Sequence, residues 1–184
     1  MKVITPKFRV SFPNVFTAQV NKLSGKEEYS LTALFAKDAD LTELKNAANA
    51  AIVKKWGPDK TKWPTNLRSP FRDQGERKKE GALPAGYEEG AIFLNLKSRT
   101  APGVVDENVQ PILDENQVYS GCYGRASINA YCYDHAGNRG VAFGLTNFQK
   151  MGDGEPLSGR SLPTQDFKPI ESSDTGLASD PMFN

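Results

Sequence analysis

The chain of 184 residues has one histidine, two cysteines and no long apolar run, and each shortage removes a class of protein. With His135 as the single imidazole, histidine-based zinc sites are excluded, and a Ser-His-Asp or Cys-His arrangement would depend on one residue that the pattern places in a turn. No Gly-x-x-x-x-Gly-Lys-Ser/Thr stretch is present, so no phosphate loop of that kind is expected. Nothing approaches the roughly 18–20 apolar residues that span a bilayer. The opening Met1-Lys2-Val3-Ile4-Thr5-Pro6 has no signal core, and there is no Asn-x-Ser/Thr sequon. Cys122 and Cys132, if on one strand, lie about 33 Å apart at ~3.3 Å per residue. A disulfide tolerates only about 4.4–6.8 Å, so the pair reads as buried thiols in a reducing compartment. The acid pairs Asp106-Glu107 and Asp114-Glu115 sit in Pro- and Asn-rich loops and read as solvated, so neither a metal nor a cofactor is expected.

What remains is a composition of one globular domain with a real core: 38% hydrophobic, 24% charged, with 16 Gly and 12 Pro for turns. The net charge of +1 conceals an asymmetry. Residues 1–160 carry 22 Lys+Arg against 18 Asp+Glu, whereas residues 161–184 carry one Lys against four acids. The expected division is a mildly basic domain over 1–160 and a flexible acidic tail over 161–184, where aliphatics are too few to offset the entropy of ordering.

Residues 7–20 read as a strand in which Phe8, Val10 and Phe12 alternate with Lys7, Arg9 and Ser11, with Pro13-Asn14 breaking or bulging it. A turn at Asn21-Lys22-Leu23-Ser24-Gly25 leads to a second strand, Tyr29 to Phe35, making a hairpin. Asp40 as N-cap, with Glu43 three residues on, predicts a helix over about 40–56 that buries Leu41, Leu44, Ala48, Ala51 and Ile52 and ends at Gly57-Pro58. Residues 57–90 are irregular and carry Trp63, Phe71 and Tyr87 among many charges; a connector of this length is often functional. Strand returns at 91–100, with Ile92, Leu94 and Leu96 facing one way and Phe93, Asn95, Lys97 and Arg99 the other. The clearest hairpin has arms at 121–133 and 140–150 around a turn at 134–139.

Chemistry concentrates on that hairpin. Cys122, Gly124, Ala126, Ile128, Ala130 and Cys132 are small and apolar, suited to the tightly curved interior of a small barrel. The opposite face shows Tyr123, Arg125, Ser127, Asn129, Tyr131 and Tyr133, and nothing acidic until Asp134. The outward set Phe93, Asn95, Lys97 and Arg99 repeats the theme. Single-stranded nucleic acid needs such a surface, because unstacked bases lie on aromatic rings while Lys and Arg neutralise phosphates. The competing reading is that these aromatics cover a second packing layer beneath the 57–90 segment, as in a structural or adaptor protein. A third reading, a metal-dependent nuclease, would rest on the loop acid pairs alone.

Several short stretches in order carry a resemblance: Phe8-Arg9-Val10-Ser11-Phe12-Pro13-Asn14-Val15-Phe16, Pro102-Gly103-Val104-Val105-Asp106, Tyr119-Ser120-Gly121-Cys122-Tyr123 with Arg125-Ala126, Tyr133-Asp134, Gly137-Asn138-Arg139-Gly140 and Gly154-Glu155-Pro156-Leu157. Over about residues 1–160 the chain resembles a bacteriophage family of OB-fold single-stranded DNA-binding proteins. The resemblance implies a mainly β, OB-like small barrel with one main helix, no enzyme activity, and a role in phage DNA replication or recombination in the cytoplasm of the infected bacterial host. The residues expected to meet DNA are Tyr123, Tyr131 and Tyr133 as stacking platforms, with Phe93 and Trp63 as weaker ones. Arg125, Lys97, Arg99 and Arg139 are expected at phosphates, and Lys7 and Arg9 beside them. In the tail, Asp180, Met182 and Phe183 have the form of a docking peptide for phage or host replication proteins, although Phe183 is penultimate where such proteins commonly end on the aromatic itself.

Overall fold

Alternating apolar and polar residues turn eight segments of the chain into strands. The computed structural model describes residues 2–161 and 163–170. In chain order the elements are β1 (Lys2–Ile4), β2 (Phe8–Val20), β3 (Glu27–Leu34), α1 (Thr42–Trp56), β4 (Arg72–Asp73), β5 (Ile92–Ser98), β6 (Gly103–Val105), β7 (Tyr123–His135), β8 (Asn138–Gly152) and the one-turn helix α2 (Pro163–Asp166). Pairings follow a five-strand circuit, β2-β3-β5-β8-β7 and back to β2. All seams are antiparallel except β5–β8, which is parallel. The β2–β7 and β5–β8 seams are each two residue pairs long, so the result is a partly open OB-like barrel rather than a strictly closed one. β1 extends β7, β6 extends β8, and β4 pairs with β5.

The β7–β8 hairpin pairs from Tyr123↔Gly152 to His135↔Asn138, with register shifts after Tyr123 and after Ser127 where Met151 and Thr146 of β8 bulge. Its turn is tighter than the expected 134–139: Ala136 (φ 51°) and Gly137 (φ 80°) alone make it, both left-handed as a type I′ turn requires. His135 is exposed at this tip. The inward parity of β7 is as the small-residue pattern predicts, with Ala126 and Ile128 in the core and Ala130 and Cys132 packed against it. Gly124 is the tightest point. A Cβ there would collide with the Phe148 ring and lie 2.7 Å from the Gln149 carbonyl. Phe148 in turn packs beside Phe8, centroids 6.2 Å apart, and Phe8 meets Phe35 edge-on at 5.7 Å. α1 lies against β7, β1 and β8 through Leu44, Ala47 and Ala48.

Several local expectations are corrected. In β2 the register shifts between Ser11 and Asn14. Phe8 and Val10 are buried, but the bulge reverses the parity, so Phe12 is 64% exposed and Val15 takes the core position. Phe12 holds a left-handed backbone (φ 48°), and its N–H donates to Ser120 Oγ at 3.0 Å. At α1 the N-cap is Leu41, not Asp40; Asp40 acts one residue earlier, accepting from the Thr42 N–H at 2.9 Å. Of the two cysteines, Cys122 is buried and Cys132 only half-buried, both as free thiols. Asp106 and Asp114 cap turns, accepting from the N–H groups of Asn108 and Asn116.

The irregular 57–90 segment is pinned to the barrel. Buried Gln74 donates to the carbonyls of Phe35 and Ile92, both at 2.9 Å, and accepts from the Glu88 N–H at 2.8 Å. Phe71 meets Phe143 edge-on at 5.8 Å, and Tyr87 shares a hydrogen bond with Ser11 at 3.1 Å. A second clasp joins the stretch before β7 to the one after β8. The Tyr119 hydroxyl donates to Asp153 (3.0 Å) and accepts from the Gly154 N–H (3.1 Å), and the Leu157 N–H donates to the Ser120 carbonyl (2.9 Å). Burial, against the opposing Gly154 hydrogen bond and with the Asp153 charge, pushes Tyr119 up to about 12. Of the tail expected from residue 161, the described part holds exposed α2; residues 171–184, and with them Asp180, Met182 and Phe183, lie outside the described residues.

Gly124→Ala is expected to destabilise the fold by ~1–3 kcal/mol, the cost of overpacking a filled core. Urea denaturation would check this; a midpoint equal to wild type would mean that Phe148 yields freely.

Candidate nucleic-acid interface

The barrel's register lays out a row of small and polar side chains on its outer surface. Asn14 pairs with Ser30, Ser30 with Lys97, Lys97 with Gly144 and Gly144 with Asn129, crossing all five strands. One step along, Thr32 pairs with Asn95 and donates its hydroxyl to the Asn95 side chain at 3.1 Å. On β8 the outward positions Ala142 and Gly144 are small, while Val141, Phe143 and Leu145 point into the core; Gly140, of the same parity, is buried under Arg68 and the Tyr133 hydroxyl. The small outward residues let neighbouring side chains stand as walls. Tyr131 is 48% exposed, and a methyl group on Gly144 would lie 3.7 Å from its ring.

Tyr131, Asn129, Gly144, Lys97, Arg99 and Glu28 line one groove of about 440 Å³. The geometry thus brings together three of the expected residues: one exposed aromatic ring and two cations. Lys97 is paired with Glu28 at 2.8 Å. Burial alone would push the Glu28 carboxyl up, but hydrogen bonds from Lys97 and Asn21 and the charges of Lys97 and Arg99 outweigh it, leaving the carboxyl below its ordinary range. Such a half-exposed pair is worth at most about 1 kcal/mol, so an incoming anion can displace it.

The other expected residues do not join this groove. Ten residues separate Tyr123 from Tyr133 on one strand, roughly 33 Å at 3.3 Å per residue, so the β7 tyrosines cannot form one cluster. Tyr123 is half-buried at the β2 end, with Lys7 5.3 Å and Arg9 5.8 Å from its ring centroid. Arg9 is a fold contact, donating to the carbonyls of Glu155 (2.6 Å) and Gly121 (3.3 Å). Arg125 is exposed and donates to Gln149 at 2.8 Å, near β1 and β6. Tyr133 is half-buried at the far end, its hydroxyl near Gly140 and the Arg68 backbone, and Arg139 pairs with Asp134 at 3.1 Å. Trp63 is half-buried at the end of α1, its indole N–H donating to the Gly57 carbonyl at 2.8 Å.

Phe93 is a correction. Its parity is as expected, opposite Leu94, yet it is 0% exposed. Arg72 and Arg77, from the segment that Gln74 pins down, stand 5.2 and 4.9 Å from its centroid. It therefore offers no ring face to a base. The packing-layer reading holds here, at one position. Sequence reasoning places Asn129 on this face without giving it a role, and misses Glu28 and Gly144. The alternating small residues Ala142 and Gly144 are the available signal, since small outward residues beside Tyr131 leave a depression. Among the described residues, no three His, Cys, Asp or Glu side chains gather as a metal would require, and no helix is long and apolar enough to cross a membrane.

Known proteins match this chain in sequence and in fold. A family model described as "Enterobacter phage Enc34, ssDNA-binding protein" matches residues 1–177. Protein p50 of Acyrthosiphon pisum secondary endosymbiont phage 1 is 27% identical over 168 residues, covering 86% of this chain and 88% of that protein. Among solved structures, the single-stranded DNA-binding protein of bacteriophage Enc34 in complex with ssDNA is similar in fold, with a TM-score of 0.65 at 20% identity, covering 84% of this chain and 88% of that one. The fold also matches gp2.5, a single-stranded DNA-binding protein encoded by bacteriophage T7, with a TM-score of 0.58 at 11% identity over 88% of this chain and 97% of that one.

Because Glu28 has a lowered pKa in the folded state, its contribution to stability is present above the ordinary carboxylate value of about 4.3 and is lost as pH falls through the folded-state value. The stability difference between wild type and Glu28→Gln should therefore be constant above about pH 5.5 and shrink below it, by denaturant titration across pH. A pH-independent difference would remove the ion pair from the account.

Proposed function

This chain belongs to the Enterobacter phage Enc34 single-stranded DNA-binding protein family, and from that premise we propose how it binds a single strand without reading its sequence. The observation that carries the reading is one exposed ring beside two cations over a polar floor: Tyr131 with Lys97 and Arg99. A base stacks on Tyr131. The flanking phosphates take Lys97 from Glu28 and engage Arg99, while Asn129 and Asn95 offer hydrogen bonds that any base can use. Arg125, Tyr133, Arg139, Lys7 and Tyr123 lie toward the strand's ends and serve a longer path along β7. Binding and release involve no covalent step, so the protein is not an enzyme. Its work is to cover single strands during phage DNA replication or recombination in the host cytoplasm, as the domain over 1–160.

The tail has a separate role. Residues 169–184 carry three acids and no base, next to a body with 22 Lys+Arg against 18 Asp+Glu through residue 160. A tethered anionic arm has a high effective concentration at a cationic groove and competes with DNA there. Asp180, Met182 and Phe183 form the part that docks replication proteins.

Tryptophan fluorescence titration with oligo-dT should give a log–log salt plot of negative slope, about −0.7 per phosphate neutralised. Tyr131→Ala should cost ~1–3 kcal/mol of binding with little change in that slope. Arg99→Ala should instead flatten the slope by about 0.7. A flat salt plot for wild type, or equal affinity for a blunt duplex, would sink the stacking groove.

Truncation after Lys168 should raise affinity severalfold at low salt and less at high salt, where screening removes the competition. Unchanged affinity at every salt concentration would leave the tail without a competitor role.

A further inference from the structure

Tyr131 does not stand at the end of a groove; it stands between two. On its far side, Tyr131, Ala130 and Cys132 of β7 face Ala50, Ala51, Lys54 and Lys55 of α1 across a second cleft of about 550 Å³. The floor is small and apolar, and the rim is cationic. Neither lysine has a carboxylate partner among the ion pairs of the described residues. Lys55 is held over the Trp56 ring, 5.5 Å from its centroid, and its charge reaches the Cys132 thiol. The two clefts share one wall, the Tyr131 ring, and each carries a pair of basic residues: Lys97 and Arg99 in one, Lys54 and Lys55 in the other.

We propose that the α1–β7 cleft is a second subsite for the same DNA strand, which crosses β7 over Tyr131 and continues between β7 and the last turns of α1. The inference rests on the reading of Tyr131, Lys97 and Arg99 as the first subsite. Continuity makes a strand the occupant. The wall the clefts share is the residue on which a base stacks, and the next phosphates along an extended backbone arrive at two unpaired lysines. The alanine floor from α1 and β7 leaves space for a base or a sugar without offering hydrogen bonds that would select one, which suits sequence-tolerant binding. The lysines also complement the negative end of the α1 dipole. That role alone would make them matter for helix stability and equally for every ligand, which separates the two accounts.

The test compares two oligo-dT lengths, about four nucleotides to fill the first subsite and about twelve to reach the second. In full-length Lys54→Gln/Lys55→Gln, affinity for the longer strand should fall about tenfold at low salt. The salt slope for that strand should flatten by about 1.4, two phosphates at about 0.7 each. The short strand should be bound as in wild type. A second readout needs no substitution. Cys132 lines the cleft, whereas Cys122 is buried, so alkylation of Cys132 in wild type should be blocked by the longer strand and not by the shorter one. Equal losses for both lengths, or loss for neither, would overturn the second subsite, as would alkylation that ignores strand length. Failure of the first reading looks different: wild type and Tyr131→Ala would then bind the short strand equally weakly.

Discussion

A partly open five-strand barrel packs closely only where a strand turns small side chains inward beneath its aromatic rings, and β7 does so at Gly124 and Ala126. Gly124 and Ala126 leave the space that the Phe148 ring fills, and Phe148 gathers Phe8 and through it Phe35. Its first residues, Tyr123 and Gly124, pair with β2 along one edge and with β8 along the other, so β7 joins the two ends of the circuit. The strand's outer face pays for none of this packing. Side chains there are free to be large and aromatic, and Tyr131 stands exposed because its inward neighbours Ala130 and Cys132 do the joining to the core. Interior constraint and exterior chemistry are two sides of one alternation.

The stretches that carry the family resemblance turn out to be fasteners. Tyr119 to Tyr123 and Gly154 to Leu157 are clasped to each other by the Tyr119 hydroxyl, the Ser120–Leu157 bond and the bonds of Arg9 to the Gly121 and Glu155 carbonyls. A Cβ at Gly121 or Gly154 would collide with the backbone of the other stretch. Pro102 to Asp106 supplies β6, which runs parallel to the end of β8. These positions are restricted because two backbones must approach closely. The groove residues Lys97, Asn129, Tyr131 and Gly144 lie outside every one of these stretches.

This also sets what could be read from the sequence. The hairpin of β7 and β8, the helix α1, the strand β5 and the inward parity of β7 follow from periodicity, because period-two and helical patterns are local. Phe12 was misplaced because a bulge costs one residue of register and only Pro13-Asn14 hinted at it. Phe93 was misplaced for another reason. Alternation says which face a side chain is on, not whether a distant segment covers that face, and the cover here depends on Gln74 finding three backbone partners across the chain. Parity also leaves open how far apart the β7 tyrosines stand. A strand of thirteen residues shares a parity but not a neighbourhood.

The pairing of Lys97 with Glu28 has a consequence for how binding energy would be counted. A free lysine that meets a phosphate expels the cation that had neutralised the DNA. A lysine already neutralised by a carboxylate makes an exchange instead: the phosphate gains its partner, and the abandoned carboxylate recruits a cation from solution. The net release of small ions at that position is close to nil, although a direct contact has formed. Arg139, paired with Asp134, has the same property. The number of ions set free by this protein would then undercount its phosphate contacts, and the shortfall would equal the number of internal ion pairs the strand has to open.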